Sequence, residues 1–403
     1  MHGPSRRQLG VLVSVGTVPV VVGATVAFLA VANRPPAPAA PYPTAAATPS
    51  PPDVAIPSPG PTVPVCVDVA HWPLDRRLEQ LLIVSGVFDD LSASADEARA
   101  GIGALVLFGQ PQAGQASSIA HGLEQLRADA AAADQVPPWM STDEEGGYVQ
   151  RLAGVVGVLP APRHMGSEWT PDQVRHEMTV HAAALRALGI DMDLAPVLDV
   201  AAPDDAVADE EDRAFSDDPS VVAADGVAYA EGLEAGGVTP VVKHFPGLGR
   251  ADVNTDVAVA TDPSLASLES SDLLPFEAAV SADVPVIMIS NVRVPGLTGN
   301  VPASLAPATY RLLRDSLGFQ GVAMTDALDA GAIAESGYSQ PRAVVAAISA
   351  GADLAMIDSQ EWQPVMSALR QAVLTGRLST QRVDDAVRSV LSAKGLSVCV
   401  RGQ

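Results

Sequence analysis

What most constrains this chain is an alternation. From Leu74 onward, short apolar runs that stop at polar residues alternate with segments of helical period. The runs are Leu82 to Val87, Ala104 to Phe108, Trp139 to Thr142, Ile190 to Leu194, Thr239 to Val242, Pro285 to Ile289, Val322 to Thr325 and Leu354 to Ile357. Helical spacing of apolar residues covers Val174 to Leu188, Val221 to Ala235, Pro307 to Leu317, Arg342 to Ala350 and Thr380 to Ala393. Eight apolar runs alternating with helical segments predict an α/β fold, a (β/α)8 TIM-type barrel in a single domain over residues 65–403. In such a barrel the chemistry lies at the carboxyl ends of the strands.

Polar residues at the ends of the apolar runs, and in the segments that follow them, therefore form the candidate set. They are Asp143, Arg151, Arg213, Lys243, His244, Asp256, Asn291 and Asp326. The fifth run is the most pointed, because Val241-Val242 meets Lys243-His244 and then a Pro246-Gly247-Leu248-Gly249 turn. Carboxylates, Lys, His and Arg converging on one mouth suit a polyhydroxylated ligand, and two carboxyl groups there suit glycoside cleavage. Read one at a time, the Lys-His pair is equally a strand cap, Asp326 a loop cap and Glu145 a structural member of a tight turn before Gly146-Gly147.

No metal and no cofactor are expected. The seven histidines are scattered, and HExxH, His-x-His and CxxC are absent. Gly247-Leu248-Gly249 lacks the Lys-Ser/Thr of a phosphate loop. The net charge is −23, with no acidic residue among the first 52 positions, so the folded part is strongly acidic. That disfavours nucleic acid and anionic lipid as its partners.

The N-terminal region reads differently. Arg6 and Arg7 precede an uncharged stretch, Leu9 to Ala32, long enough to span a bilayer. Residues 1–32 are read as a signal, resembling a twin-arginine export segment, or as an uncleaved membrane anchor; both readings stand. Residues 33–64 carry twelve prolines among Ala, Thr and Ser and are read as an extended linker. The expected location is outside the cell, anchored or secreted. Cys66 and Cys399 lie at the two ends of the folded region, where a disulfide and two free thiols are both open readings.

Several segments carry a family resemblance. Asp143-Glu144-Glu145-Gly146-Gly147-Tyr148-Val149-Gln150-Arg151-Leu152 resembles DQEGGRVQRL, and Asp193 to Val200 resembles NFAPVLDV. Asp212 to Pro219 resembles RSFGSDP, Lys243 to Gly249 resembles KHFPGHG, and Leu317 to Leu328 resembles LGFDGVVVTDDL. These are motifs of the N-terminal barrel of glycoside hydrolase family 3, in its single-domain β-N-acetylhexosaminidase branch, and they span about Leu78 to Lys394. The resemblance implies Asp326 as nucleophile, and Asp143, Arg151, Arg213, Lys243 and His244 as holders of the sugar. It implies a carbohydrate substrate of cell-wall origin, and we expect a monomer.

The departures from the family concentrate at the chemistry. The branch carries Asp-x-His on the loop after KHFPGHG, whereas this chain reads Asn254-Thr255-Asp256. Leu248 and Asn291 replace two further histidines, and Tyr148 replaces an arginine. Asp256 is the candidate acid/base. The alternatives are a glycan-binding envelope protein without turnover and a β-glycosidase of other specificity.

Overall fold

The computed structural model describes residues 66–202 and 212–399. The apolar run of residues 9–32 and the proline-rich stretch 33–64 lie outside them. No helix among the described residues is long and apolar enough to cross a membrane.

The barrel strands are β1 (Leu82–Val87), β2 (Ala104–Phe108), β3 (Trp139–Thr142), β6 (Met192–Asp193), β7 (Thr239–Phe245), β8 (Val286–Ile289), β9 (Val322–Thr325) and β10 (Ala355–Ile357). A hairpin, β4 (Glu144–Gly146) and β5 (Val149–Gln150), rises from the end of β3. The eight barrel strands run parallel in the order β10-β1-β2-β3-β6-β7-β8-β9. A parallel bridge between Met324 and Leu354 joins β9 to β10 and closes the ring. This is the expected (β/α)8 barrel.

Strand parity decides what faces the mouth. Ile83, Val106, Val241, Val286, Met288, Val322, Met324, Leu354 and Met356 form one apolar cluster. Their neighbours Val84, Leu105, Leu107, Val242, Ile287, Ile289, Ala323, Ala355 and Ile357 join the larger cluster shared with the helices. Successive side chains of a strand point to opposite faces, so the first set fills the barrel and the second packs outward. Continuing the count, Asp143, Lys243 and Asp326 fall in the inward phase just past β3, within β7 and just past β9.

The helices start where their caps dictate. Thr170 accepts from the Gln173 backbone and Gln173 returns the bond, with Pro171 opening the helix Pro171–Leu188. Asp218 accepts from the Ser220 backbone ahead of Pro219–Ala235, and Ser379 from the Arg382 backbone ahead of Thr380–Ala393.

Some boundaries differ from the expected ones. The fourth apolar run forms only a two-residue strand, because the chain turns at Ala195-Pro196 and Pro196 has no N–H to continue a ladder. β7 continues through Lys243 and His244 to Phe245, and its register against β8 shifts between Val242 and Phe245. The α-helix at Pro307 ends at Arg311 and continues as a widened turn over Leu312–Ser316.

Cys66 and Cys399 are joined in a disulfide, with Cα atoms 5.0 Å apart. Beside it Val67 pairs in parallel with Val398, so the two ends of the described chain are tied together.

Candidate active site

Glu145 is the hub of the mouth. It accepts from Arg213 twice, Nε at 2.7 Å and Nη2 at 2.8 Å, and stands 2.5 Å from Lys243 Nζ. Lys243 also donates to Asp143 at 3.0 Å, and Arg151 lies 3.9 Å from the other Asp143 oxygen. Burial opposes ionisation of Glu145, but the Arg213 and Lys243 charges outweigh it and hold the carboxyl well below the usual range. The same carboxylates raise Lys243 above its ordinary value despite its burial. The four expected residues Asp143, Arg151, Arg213 and Lys243 thus meet in one charged cluster. Glu145, taken from sequence as a turn residue, holds two of them. Its position two residues after Asp143 was the available signal, because alternate residues share a face.

His244 is buried beside this cluster. Its Nδ1 lies 2.7 Å from Asp199 Oδ2, and its backbone N–H donates to Asp199 Oδ1 at 3.2 Å. Asp199 was visible in the APVLDV-like stretch but had no assigned role. It sits where it does because Val197 bridges to Lys243, carrying the strand pairing of β6 and β7 past the end of β6.

Asp326 follows β9, with its carboxylate accepting from the Ala327 backbone at 2.7 Å. Burial pushes its carboxyl up, His244 opposes that, Asp256 adds to it, and Lys243 also opposes it. Asp256 is exposed on the loop that follows β7. Its backbone N–H donates to the Asn254 side chain at 2.8 Å, and its carbonyl accepts from Gly331 at 2.9 Å. Thr255 accepts from Ala332, and Val259 donates to Glu335. The loop is therefore docked on the helix Gly331–Glu335, which starts five residues after Asp326. A Cβ on Gly331 would stand 2.3 Å from the Val257 carbonyl oxygen, so only glycine permits this docking.

Asn291 differs from the expected sugar contact. Its amide donates to the Ala327 carbonyl at 2.7 Å and its oxygen accepts from Ser304 at 2.6 Å, so both ends are engaged within the protein. It braces the residue next to Asp326.

Behind the mouth, Asp193 is fully buried, accepts from the Glu144 backbone, and is pushed well up by burial and by Glu144. It stands where the resembling motif has Asn. Among the described residues no cluster of His, Cys, Asp or Glu is suited to holding a metal ion.

Barrel and comparisons together make this chain a glycosidase acting on O-glycosyl bonds. The chain belongs to glycosyl hydrolase family 3, whose N-terminal domain matches residues 73–393. It is 36% identical over 327 residues to "Beta-hexosaminidase LpqI" of Mycobacterium tuberculosis, covering 79% of this chain and 82% of that protein. The crystal structure of a glycosyl hydrolase family 3 member from Mycobacterium smegmatis superposes with a TM-score of 0.73 at 36% identity, over 81% of this chain and 98% of that one. The structure of M. tuberculosis LpqI does so with a TM-score of 0.75 at 34% identity, over 83% and 99%.

Proposed function

We propose that this chain is an exported, retaining β-N-acetylhexosaminidase acting on β-linked N-acetylglucosamine in cell-wall glycans, with Asp326 as nucleophile and Asp256 as acid/base. The observation that carries the reading is Asp326 itself, a buried carboxylate at the inward phase of a strand end, whose ionisation is opposed by burial and by Asp256 and favoured by His244 and Lys243. The names of the relatives support the sugar class. Asp143, Arg151, Arg213, Lys243 and His244 hold the sugar hydroxyls.

In the first step an Asp326 oxygen bonds to the anomeric carbon as the glycosidic C–O bond breaks, and Asp256 passes its proton to the departing oxygen. In the second, Asp256 takes a proton from water, whose oxygen displaces Asp326 and regenerates both carboxyl groups. Export is supported by the Arg6-Arg7 pair before an apolar run and by the disulfide, which suits an oxidising compartment. In this reading residues 1–32 are the signal or anchor and 33–64 the spacer.

A chromogenic N-acetyl-β-glucosaminide tests the assignment, because a good leaving group needs little acid assistance. Wild type should release chromophore, and Asp326→Asn should lose at least about a thousandfold in kcat. Equal rates in the two, at or near zero, would overturn the assignment. The exposure of Asp256 favours a second reading, a glycan-binding envelope protein. It is distinguished by saturable sugar binding without turnover, lost in Lys243→Ala.

A further inference from the structure

We propose that Glu144 is a positioning residue for sugar binding. Held from behind the mouth by its side chain and both its backbone groups, it sets where Asp143, Glu145 and Arg151 stand. The inference rests on the reading above, in which Asp143 and Arg151 hold the sugar.

Asp143 and Glu145 both reach Lys243, so the residue between them points away from the mouth. Glu144 is closed off from solvent there, and every one of its polar atoms is engaged. Its Oε1 accepts from the Leu152 backbone at 2.5 Å. Its Oε2 accepts from Gln150 Nε2 at 3.1 Å and lies 3.0 Å from His181 Nε2. Its own N–H donates to Asp193 at 2.9 Å, and its carbonyl accepts from the Tyr229 hydroxyl at 2.6 Å. These partners belong to the far arm of the hairpin, to β6 and to the helices Pro171–Leu188 and Pro219–Ala235.

Each tether acts on a residue of the mouth. The Glu144 N–H belongs to the peptide that joins it to Asp143, and its carbonyl to the peptide that joins it to Glu145. The Leu152 N–H belongs to the peptide that follows Arg151, whose own N–H donates to the Asp143 carbonyl at 3.1 Å. One buried side chain therefore locks the two arms of the hairpin at the level of the sugar-holding groups. Tolerance there is small, because Lys243 Nζ meets Asp143 at 3.0 Å and Glu145 at 2.5 Å at the same time. Gln stands at this place in the resembling motif, and it too offers an oxygen and a second polar atom.

The test is steady-state kinetics on a chromogenic N-acetyl-β-glucosaminide, with calorimetric affinity for N-acetylglucosamine on the same folded samples. Groups that hold the sugar act in ground state and transition state alike, so their displacement is read in KM. Glu144→Ala should raise KM and weaken the affinity by about tenfold each, with kcat per folded molecule within a few-fold. A merely structural role would lower the maximal rate with the folded fraction and leave KM and affinity where they were. Glu144→Gln should return KM to within about threefold of wild type. His181→Phe removes one partner while leaving Leu152 and Gln150, and should move KM the same way by about threefold; it decides the matter should Glu144→Ala fail to fold. Unmoved KM and affinity in the folded variants of an active wild type overturn the inference alone. A wild type that binds N-acetylglucosamine but turns nothing over overturns the glycosidase reading, and the affinities then decide the inference by themselves. A wild type that does neither overturns both.

Discussion

Glu145 Oε1 and Lys243 Nζ stand 2.5 Å apart, both closed off from solvent, and Arg213 donates to both oxygens of the same carboxylate. Breaking a buried pair by removing one charge strands the others, at a cost of about 3–5 kcal/mol. Glu145→Gln should therefore lower both stability and sugar affinity. Urea unfolding and KM measured together check this; a variant changed in KM alone would place Glu145 outside the fold's support.

Asp256 is expected to matter in proportion to the leaving group. Asp256→Asn should lose about 10²–10⁴-fold in kcat/KM on a disaccharide and only a few-fold on a nitrophenyl glycoside in its first step. Paired kinetics on the two substrates decide it. Equal losses on both would mean that the carboxylate is not the proton donor.

The docking of the loop depends on a missing side chain. Gly331→Ala would bring a Cβ within 2.3 Å of the Val257 oxygen and 2.9 Å of the Asp256 oxygen. The loop must move, and Asp256 with it. Turnover of a disaccharide should fall while trapping of Asp326 by a glycosyl fluoride is retained. Unaltered disaccharide kinetics would show that the loop works undocked.

Asp262 gives the folded region a pH signature. It is buried, and among the described residues neither of its oxygens has a hydrogen-bond partner. Burial, with Asp272 and Asp199 nearby, pushes it up to about 8. The folded state then keeps a proton that the unfolded chain gives up above about pH 4. Between there and pH 8 the unfolded state binds fewer protons, so stability falls as pH rises. Asp262→Asn should match wild type near pH 4 and exceed it by at least about 1 kcal/mol at pH 8. Urea unfolding at the two pH values reads the difference directly, and a gap that does not grow with pH would contradict it.

The disulfide closes a separation of 333 residues. Its loss in a Cys66→Ser, Cys399→Ser double variant should lower stability by about 2–4 kcal/mol, chiefly through the freedom returned to the unfolded chain. Kinetics well below the melting temperature should be unchanged, since both cysteines lie at the ends of the described chain rather than among the mouth residues.

The eight-strand alternation was legible because short apolar runs and helical spacing are local properties. The same locality made Asp143, Lys243 and Asp326 readable, since each stands at or just beyond an apolar run. Arg213 and Asp256 lie in the segments after the runs, and motif likeness gave them their roles and exposed the Asn254-Thr255-Asp256 substitution.

Three things were settled only by the closed barrel. Glu145 reads as a turn residue until Arg213, 68 positions later, and Lys243 are brought to it. Asp199 has no visible task until the paired strand places His244 against both its oxygens. Asn291 reads as a ligand contact until Ser304 and Ala327 occupy its amide. Sequence by itself determined that Asp143, Lys243 and Asp326 arrive at the mouth, because parity along a strand is a property of neighbours in the chain. Which of them face a substrate and which hold one another was decided by tertiary structure, because charge pairing in a desolvated site depends on distances between strands that the chain order does not contain.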